Sequence, residues 1–204
     1  MQIGDYVVHI VDDEEPVRKS LAFLLTLAGF AVRVHESATS FLAAAPGMSK
    51  GCLVTDLRMP DMSGVELLTK LGAANAMMPA IVITGHGDVP MAVEAMQAGA
   101  FDFLQKPFRD QDLIDCINRA LKADTENRAA LEKHADIKRR FESLTPREME
   151  VMEMLVDGRA NKVIAIDLGL SERTVEIHRA NVMEKMGVRS VAHLVRMKLA
   201  LGNG

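Results

Sequence analysis

The chain has 204 residues, 49% hydrophobic and 25% charged, with a net charge of −4. This balance excludes a disordered or fibrous chain and allows one or two packed domains. No apolar run approaches the roughly 20 residues of a membrane span, and an acidic cluster stands in MQIGDYVVHIVDDEE where an export signal would carry its cleavage site, so a cytoplasmic protein without a membrane partner is expected.

Charge is unevenly divided. Residues 1–137 carry 12 Lys and Arg against 19 Asp and Glu, whereas residues 138–204 carry 12 against 9. An acidic front and a basic tail suggest two modules with different partners. The two cysteines, Cys52 and Cys116, are too few for a disulfide framework and sit among apolar residues, so both read as small buried hydrophobes.

In the first half, five short apolar runs (YVVHIV, AVRVHES, GCLVTDL, AIVIT and FDFLQK) have the length and composition of strands. Between them, EPVRKSLAFLLTLAGF, GVELLTKLGA, VPMAVEAMQAGA and RDQDLIDCINRALK have helical periodicity, with Gly29 ending the first. Five alternations of strand and helix predict an α/β fold, a doubly wound (βα)5 parallel sheet with right-handed crossovers. The flavodoxin-like strand order 2-1-3-4-5 fits five units.

In such sheets ligands bind beyond the carboxyl ends of the strands. The first strand runs into Asp12 and Asp13, the third into Asp56, the fourth into Thr84 and the fifth into Lys106. Clustered carboxylates repel unless a cation joins them, and a few hard oxygen ligands suit Mg²⁺. A carboxylate can also act as a nucleophile and become an aspartyl phosphate. In that chemistry Asp56 is the nucleophile, Asp12 and Asp13 hold the metal, Thr84 donates to a phosphoryl oxygen and Lys106 balances its charge. Taken singly, each has a plainer reading as a turn residue, helix cap or surface charge; their shared position at one end of four strands argues for a site. His9 and His86 read as loop histidines, because Mg²⁺ prefers oxygen.

ADTENRAALEKHADIKRRF lacks Pro and Gly and is rich in helix formers, so residues 123–141 are expected to form a helical linker between a first domain, 1–122, and a second, 142–204. In the second, LTPREMEVMEMLVDG opens with Thr145 as N-cap, Pro146 at the first helical position and Glu148 completing a capping box. Gly158 ends that helix. NKVIAIDLGL, SERTVEIHRANVMEKMGV with Ser171 as cap, and SVAHLVRMKLAL give three more helices, the last with Val191, Leu194, Val195 and Leu199 on one side. Two helices joined by a short Gly-containing turn make a helix-turn-helix, whose second helix would enter the DNA major groove. The pattern alone also allows a small protein-binding bundle.

VDDEEPVR, LVTDLRMPDMSGVELL and IVITGHGDVPMAVEAMQAGAFDFLQKPF resemble the receiver domain of two-component response regulators over Asp5 to Lys122. The resemblance implies that Asp56 accepts phosphate from a sensor histidine kinase. It implies Mg²⁺ ligation by Asp13, Asp56 and the Arg58 backbone carbonyl, with Asp12 acting through water. It implies that Thr84 and Lys106 contact the phosphoryl group, and that Phe103 is the switch ring, here without the hydroxyl that many relatives carry. The second module resembles the LuxR/NarL-type DNA-binding domain over Glu142 to Gly202. That resemblance makes Arg173 to Lys185 the recognition helix and Asn161 to Leu168 its support. Glu176, Ile177 and Arg179 would read bases, and Lys162, Arg173, Thr174 and Lys185 would meet phosphates.

Together these imply a phosphorylation-activated regulator that dimerises and binds double-stranded promoter DNA, with RNA polymerase as a further partner. The whole chain also resembles the nitrogen-fixation branch of the family, which implies an oxygen-sensing haem kinase as partner and nitrogen-fixation promoters as targets. The alternatives from chemistry alone are a Mg²⁺-dependent phosphohydrolase with an aspartyl-phosphate intermediate, and an adaptor that does not bind DNA.

Overall fold

The computed structural model describes residues 6–45, 50–73, 78–85 and 89–202. The chain divides into two compact units, Met1–Glu126 and Asn127–Gly204. His86 lies outside the described residues.

The first unit contains β1 (Val7–Val11), α1 (Glu15–Leu27), β2 (Ala31–His35), α2 (Ala38–Ala44), β3 (Gly51–Asp56), α3 (Gly64–Ala73), β4 (Ala80–Thr84), α4 (Val89–Gln97), β5 (Asp102–Gln105) and the start of α5 (Asp110–Glu142). The sheet is parallel throughout, in the order β2-β1-β3-β4-β5. Alternation along each strand explains why these apolar runs pair as they do. Val8 and Ile10, Cys52 and Val54, Ile81 and Ile83 enter one core with Leu21 and Leu25 of α1 and Leu113 and Ile117 of α5. Val11, Leu53, Ala80 and Val82 enter a second core with Phe41, Leu67, Leu68, Leu71 and Ala95 from α2, α3 and α4. Full burial of one such side chain stabilises the fold by about 1.5–3 kcal/mol. Both cysteines are buried, and burial pushes the Cys116 thiol up to about 12.

One feature of this unit differs from the sequence reading. His9 is a strand residue rather than a loop residue: it is buried in β1, its Nδ1 is 3.1 Å from His35 Nε2, and its ring lies against Phe41. Helix α2, ATSFLAA, had no distinct apolar stripe; it starts because the Ser37 hydroxyl accepts from Ser40 N while the Ser40 hydroxyl accepts from Ser37 N, a reciprocal cap.

The second unit comprises the end of α5 with α6 (Pro146–Val156), α7 (Asn161–Leu168), α8 (Glu172–Met186) and α9 (Val191–Gly202). Residues 123–141 are helical within α5, and Ile137 and Phe141 enter the second unit's core beside Met152, Val182 and Leu194. The expected capping box is present: Glu148 N donates to the Thr145 hydroxyl at 3.3 Å and Thr145 N to the Glu148 carboxylate at 2.8 Å. Gly169 and Gly187 close α7 and α8 in the left-handed conformation, with φ of 64° at both. On α9, Leu194 and Met197 are the buried side chains, while Leu199 is exposed, contrary to the stripe expected there. The reason is helical spacing: five residues beyond Leu194, position 199 is turned away from the face that Leu194 and Met197 share. Among the described residues no helix is long and apolar enough to cross a membrane.

Candidate functional site

Strand order brings the polar residues that follow β1, β3, β4 and β5 to one rim. Asp12 is 2% exposed. One of its oxygens accepts from Glu14 N at 2.8 Å, and its backbone carbonyl accepts from the Arg18 guanidinium at 2.7 Å. Burial raises the Asp12 carboxyl above the usual carboxylate range; the Glu14 amide opposes this, and the charge of Asp56 adds to it. Asp13 is exposed beside it.

Asp56 ends β3. Its Oδ2 accepts from Arg58 N at 2.8 Å, and its Oδ1 accepts from Lys106 Nζ at 2.7 Å. The following turn is drawn tight against the strand, since Gly64 N donates to the Leu57 carbonyl at 2.9 Å. A Cβ on Gly64 would stand 2.7 Å from the Asp56 carbonyl, so glycine is needed there.

Lys106 Nζ also lies 3.9 Å from Asp12, and its backbone N donates to the Thr84 carbonyl at 2.8 Å. Burial pulls the ammonium down, but the bond to Asp56 and the charges of Asp56, Asp12 and Glu14 outweigh it, so it is held charged above the ordinary lysine value. Thr84 is buried at the end of β4. Phe103, in β5, is 40% exposed, so its ring has room to change position.

Asp12 and Asp56 thus converge on one lysine. Among the described residues no three carboxylate, histidine or cysteine side chains are already gathered as a ligand cluster. The donor chemistry nevertheless fits a hard cation: Asp12 and Asp56 bring carboxylate oxygens to one rim, both within reach of the Lys106 ammonium.

The second unit carries the other site. Arg173, Glu176, Ile177 and Ala180 line one shallow depression on α8. Ile177 is 54% exposed, and Lys162 is exposed near the start of α7. Thr174 is engaged in the helix start: its N donates to the Ser171 hydroxyl at 3.1 Å and the two hydroxyls lie 2.7 Å apart. Arg179 is partly buried and donates to Asn161 Oδ1 at 3.2 Å. Lys185 is committed within the unit, 2.6 Å from the buried Glu148 carboxylate and 3.3 Å from the Ser143 carbonyl. Two residues that bear on this site were missed. The role of Asn161 carried no local signal. Glu148 was legible as a cap, but its partner lies 37 positions along the chain.

Comparison with known proteins accounts for both halves. The receiver-domain family of response regulators matches residues 8–118, and the luxR family of bacterial regulatory proteins matches residues 142–198. The chain is 60% identical to the transcriptional regulatory protein FixJ of Rhizobium meliloti (strain 1021), over 98% of each chain. It is 51% identical to FixJ of Azorhizobium caulinodans, over 96% of this chain and 92% of that one. Among solved structures, the response regulator StyR matches with a TM-score of 0.87 and 45% identity, over 94% of this chain and 97% of that one. The chain therefore belongs to the two-component response regulators that join a receiver to a LuxR-type DNA-binding domain, and is a FixJ-like, phosphorylation-activated regulator of transcription.

Proposed function

We propose that Asp56 is the phosphoacceptor and that its modification controls DNA binding by residues 142–204. The observation that carries this reading is the Asp56 carboxylate, held at the end of β3 within 2.7 Å of Lys106. A carboxylate oxygen of Asp56 attacks the phosphorus of a phosphohistidine on a sensor kinase; the P–N bond breaks and the imidazole leaves with its electron pair. Arg58 N fixes one carboxylate oxygen, which orients the other. Lys106, already charged and aimed at Asp56, is placed to take up a phosphoryl oxygen once Asp56 carries the acyl phosphate. Thr84, at the adjacent strand end, supplies a hydroxyl donor.

Asp13, Asp56 and the Arg58 carbonyl, with Asp12 behind them, are the residues that would hold Mg²⁺, which when bound offsets negative charge on the transferring group. This self-modification and its hydrolysis are the only chemistry assigned, and the chain acts as a regulator rather than an enzyme. Phe103 then repacks as part of the switch, and phosphorylation favours a homodimer that presents two copies of α8 to double-stranded promoter DNA. Glu176, Ile177 and Arg179 face bases, and Lys162, Arg173 and Thr174 face phosphates. Lys185 supports α8 through Glu148. Resemblance to FixJ proteins supports a FixL-like haem oxygen sensor as the kinase, nitrogen-fixation genes as targets, RNA polymerase as the machinery engaged, and a cytoplasmic location.

The test is incubation of the full chain with acetyl phosphate and Mg²⁺, followed by intact mass. Wild type should gain one phosphoryl group and Asp56→Asn none. A mutant that gains phosphate as the wild type does would exclude Asp56 as the acceptor.

A further inference from the structure

We infer that Asn161 is a positioning residue for DNA reading: its side-chain carbonyl holds the Arg179 guanidinium in place for a base edge. The inference rests on the reading of Arg179 as a base contact. Asparagine is favoured at the N-cap of a helix, but Asn161 stands one position further on, as the first residue of α7. Here the N-cap is Ala160, without a side-chain cap bond, so Asn161 does not serve in that way. Its Oδ1 instead accepts from Arg179 Nη1 at 3.2 Å, across 18 positions of sequence.

Four other arginines of this unit pair with carboxylates: Arg139 and Arg140 with Asp136, Arg147 with Glu150 and Arg159 with Asp167. Among the described residues Arg179 has no carboxylate within salt-bridge distance, although Glu176 precedes it by one helical turn. The difference is chemical. A carboxylate tether would neutralise the guanidinium and occupy its fork, whereas a neutral amide takes one of five N–H donors and leaves the charge intact. The remaining donors are free to meet two acceptors such as guanine O6 and N7. A long side chain that is already oriented loses less freedom on binding.

The experiment uses the full chain, phosphorylated with acetyl phosphate and Mg²⁺, and a library of duplexes with a randomised centre. Base preference at each position is read by sequencing the bound fraction, and bulk affinity is measured with poly(dI–dC). Arg179→Ala should lose preference at a defined set of base pairs. Asn161→Ala should weaken preference about tenfold at the same positions while changing poly(dI–dC) affinity less than twofold. It should add nothing in the Arg179→Ala background. Asn161→Asp sets a carboxylate against the guanidinium, neutralising it and occupying its fork, so it should lose the preference at the same positions and also bind every duplex more weakly.

If Arg179→Ala loses a preference that Asn161→Ala keeps, or if Asn161→Ala weakens all duplexes alike, Asn161 has no positioning role. If Arg179→Ala changes no base preference, the reading of Arg179 as a base contact fails, and the inference fails with it.

Discussion

Replacing Glu148 by Gln isolates the charge at the centre of the second unit. Glu148 is 4% exposed, and its carboxylate accepts from Lys185 Nζ at 2.6 Å and from Thr145 N at 2.8 Å. The Lys185 bond first, and the Thr145 amide second, pull its carboxyl down to about 2 from an ordinary 4.5. At 1.36 kcal/mol per pKa unit, a shift of this size is worth about 3 kcal/mol. Lys185 is 36% exposed, so water screens part of the attraction, and about 2 kcal/mol is the expected cost of the substitution at pH 7. For a unit of this size that lowers Tm by about 8–16 °C.

The sign with pH follows from the lowered value. The contribution is fully present above about pH 4.5 and is lost as pH falls toward about 2, because the wild-type carboxylate then protonates. The deficit of the Gln variant should therefore be constant from neutral pH down to about 4.5, shrink below that, and be mostly gone by about pH 2. Urea unfolding of the full chain, with amide exchange of α6 and α8 peptides to separate the second unit's transition, measures it. A deficit below about 0.5 kcal/mol, or one that does not change with pH, would refute the reasoning, since the first lies within the range of ordinary surface substitutions.

Three further outcomes are expected. In the first unit, burial first, then the charges of His35 and Arg33, lower His9 to about 4 from 6.5; stability should be full above about pH 6.5 and fall by about 3 kcal/mol as pH drops to about 4, a slope that His9→Phe flattens in urea titrations. Lys106→Met removes the cation beside Asp56 and Asp12 and should tighten Mg²⁺ binding about fivefold, roughly 1 kcal/mol, by titration calorimetry; unchanged or weaker binding would contradict the assigned site. Gly187→Ala forces a side chain into a left-handed position against Arg140, which donates to the Met186 carbonyl at 2.9 Å, and should lower the second unit's stability by about 2 kcal/mol in the same urea assay.

The parts of this molecule that could be read from sequence are those governed by local chemistry. Apolar runs of strand length, a reciprocal cap at Thr145 and Glu148, and acidic or basic residues at strand ends each state their role within a few positions. Strand order then brings Asp12, Asp56, Thr84 and Lys106 to one rim. What was hidden depends on tertiary placement. His9 alternates correctly for a strand, but only the fold sets its ring against His35 and Phe41. Lys185 reads as a free cation on a DNA-facing helix until Glu148, from α6, is seen to hold it. The seven residues of α2 have too weak a pattern to declare a helix, and a serine pair supplies the start instead.

The central claim is that the state of Asp56 governs DNA binding. Its most direct test is the retention of a duplex selected by the phosphorylated wild type, compared across wild type and Asp56→Asn, each with and without acetyl phosphate and Mg²⁺, with mass read by light scattering in the same samples. The account predicts that acetyl phosphate converts wild type to a dimer and tightens retention at least tenfold, while Asp56→Asn responds to neither. Equal dimerisation and retention by the Asp56→Asn chain would contradict it.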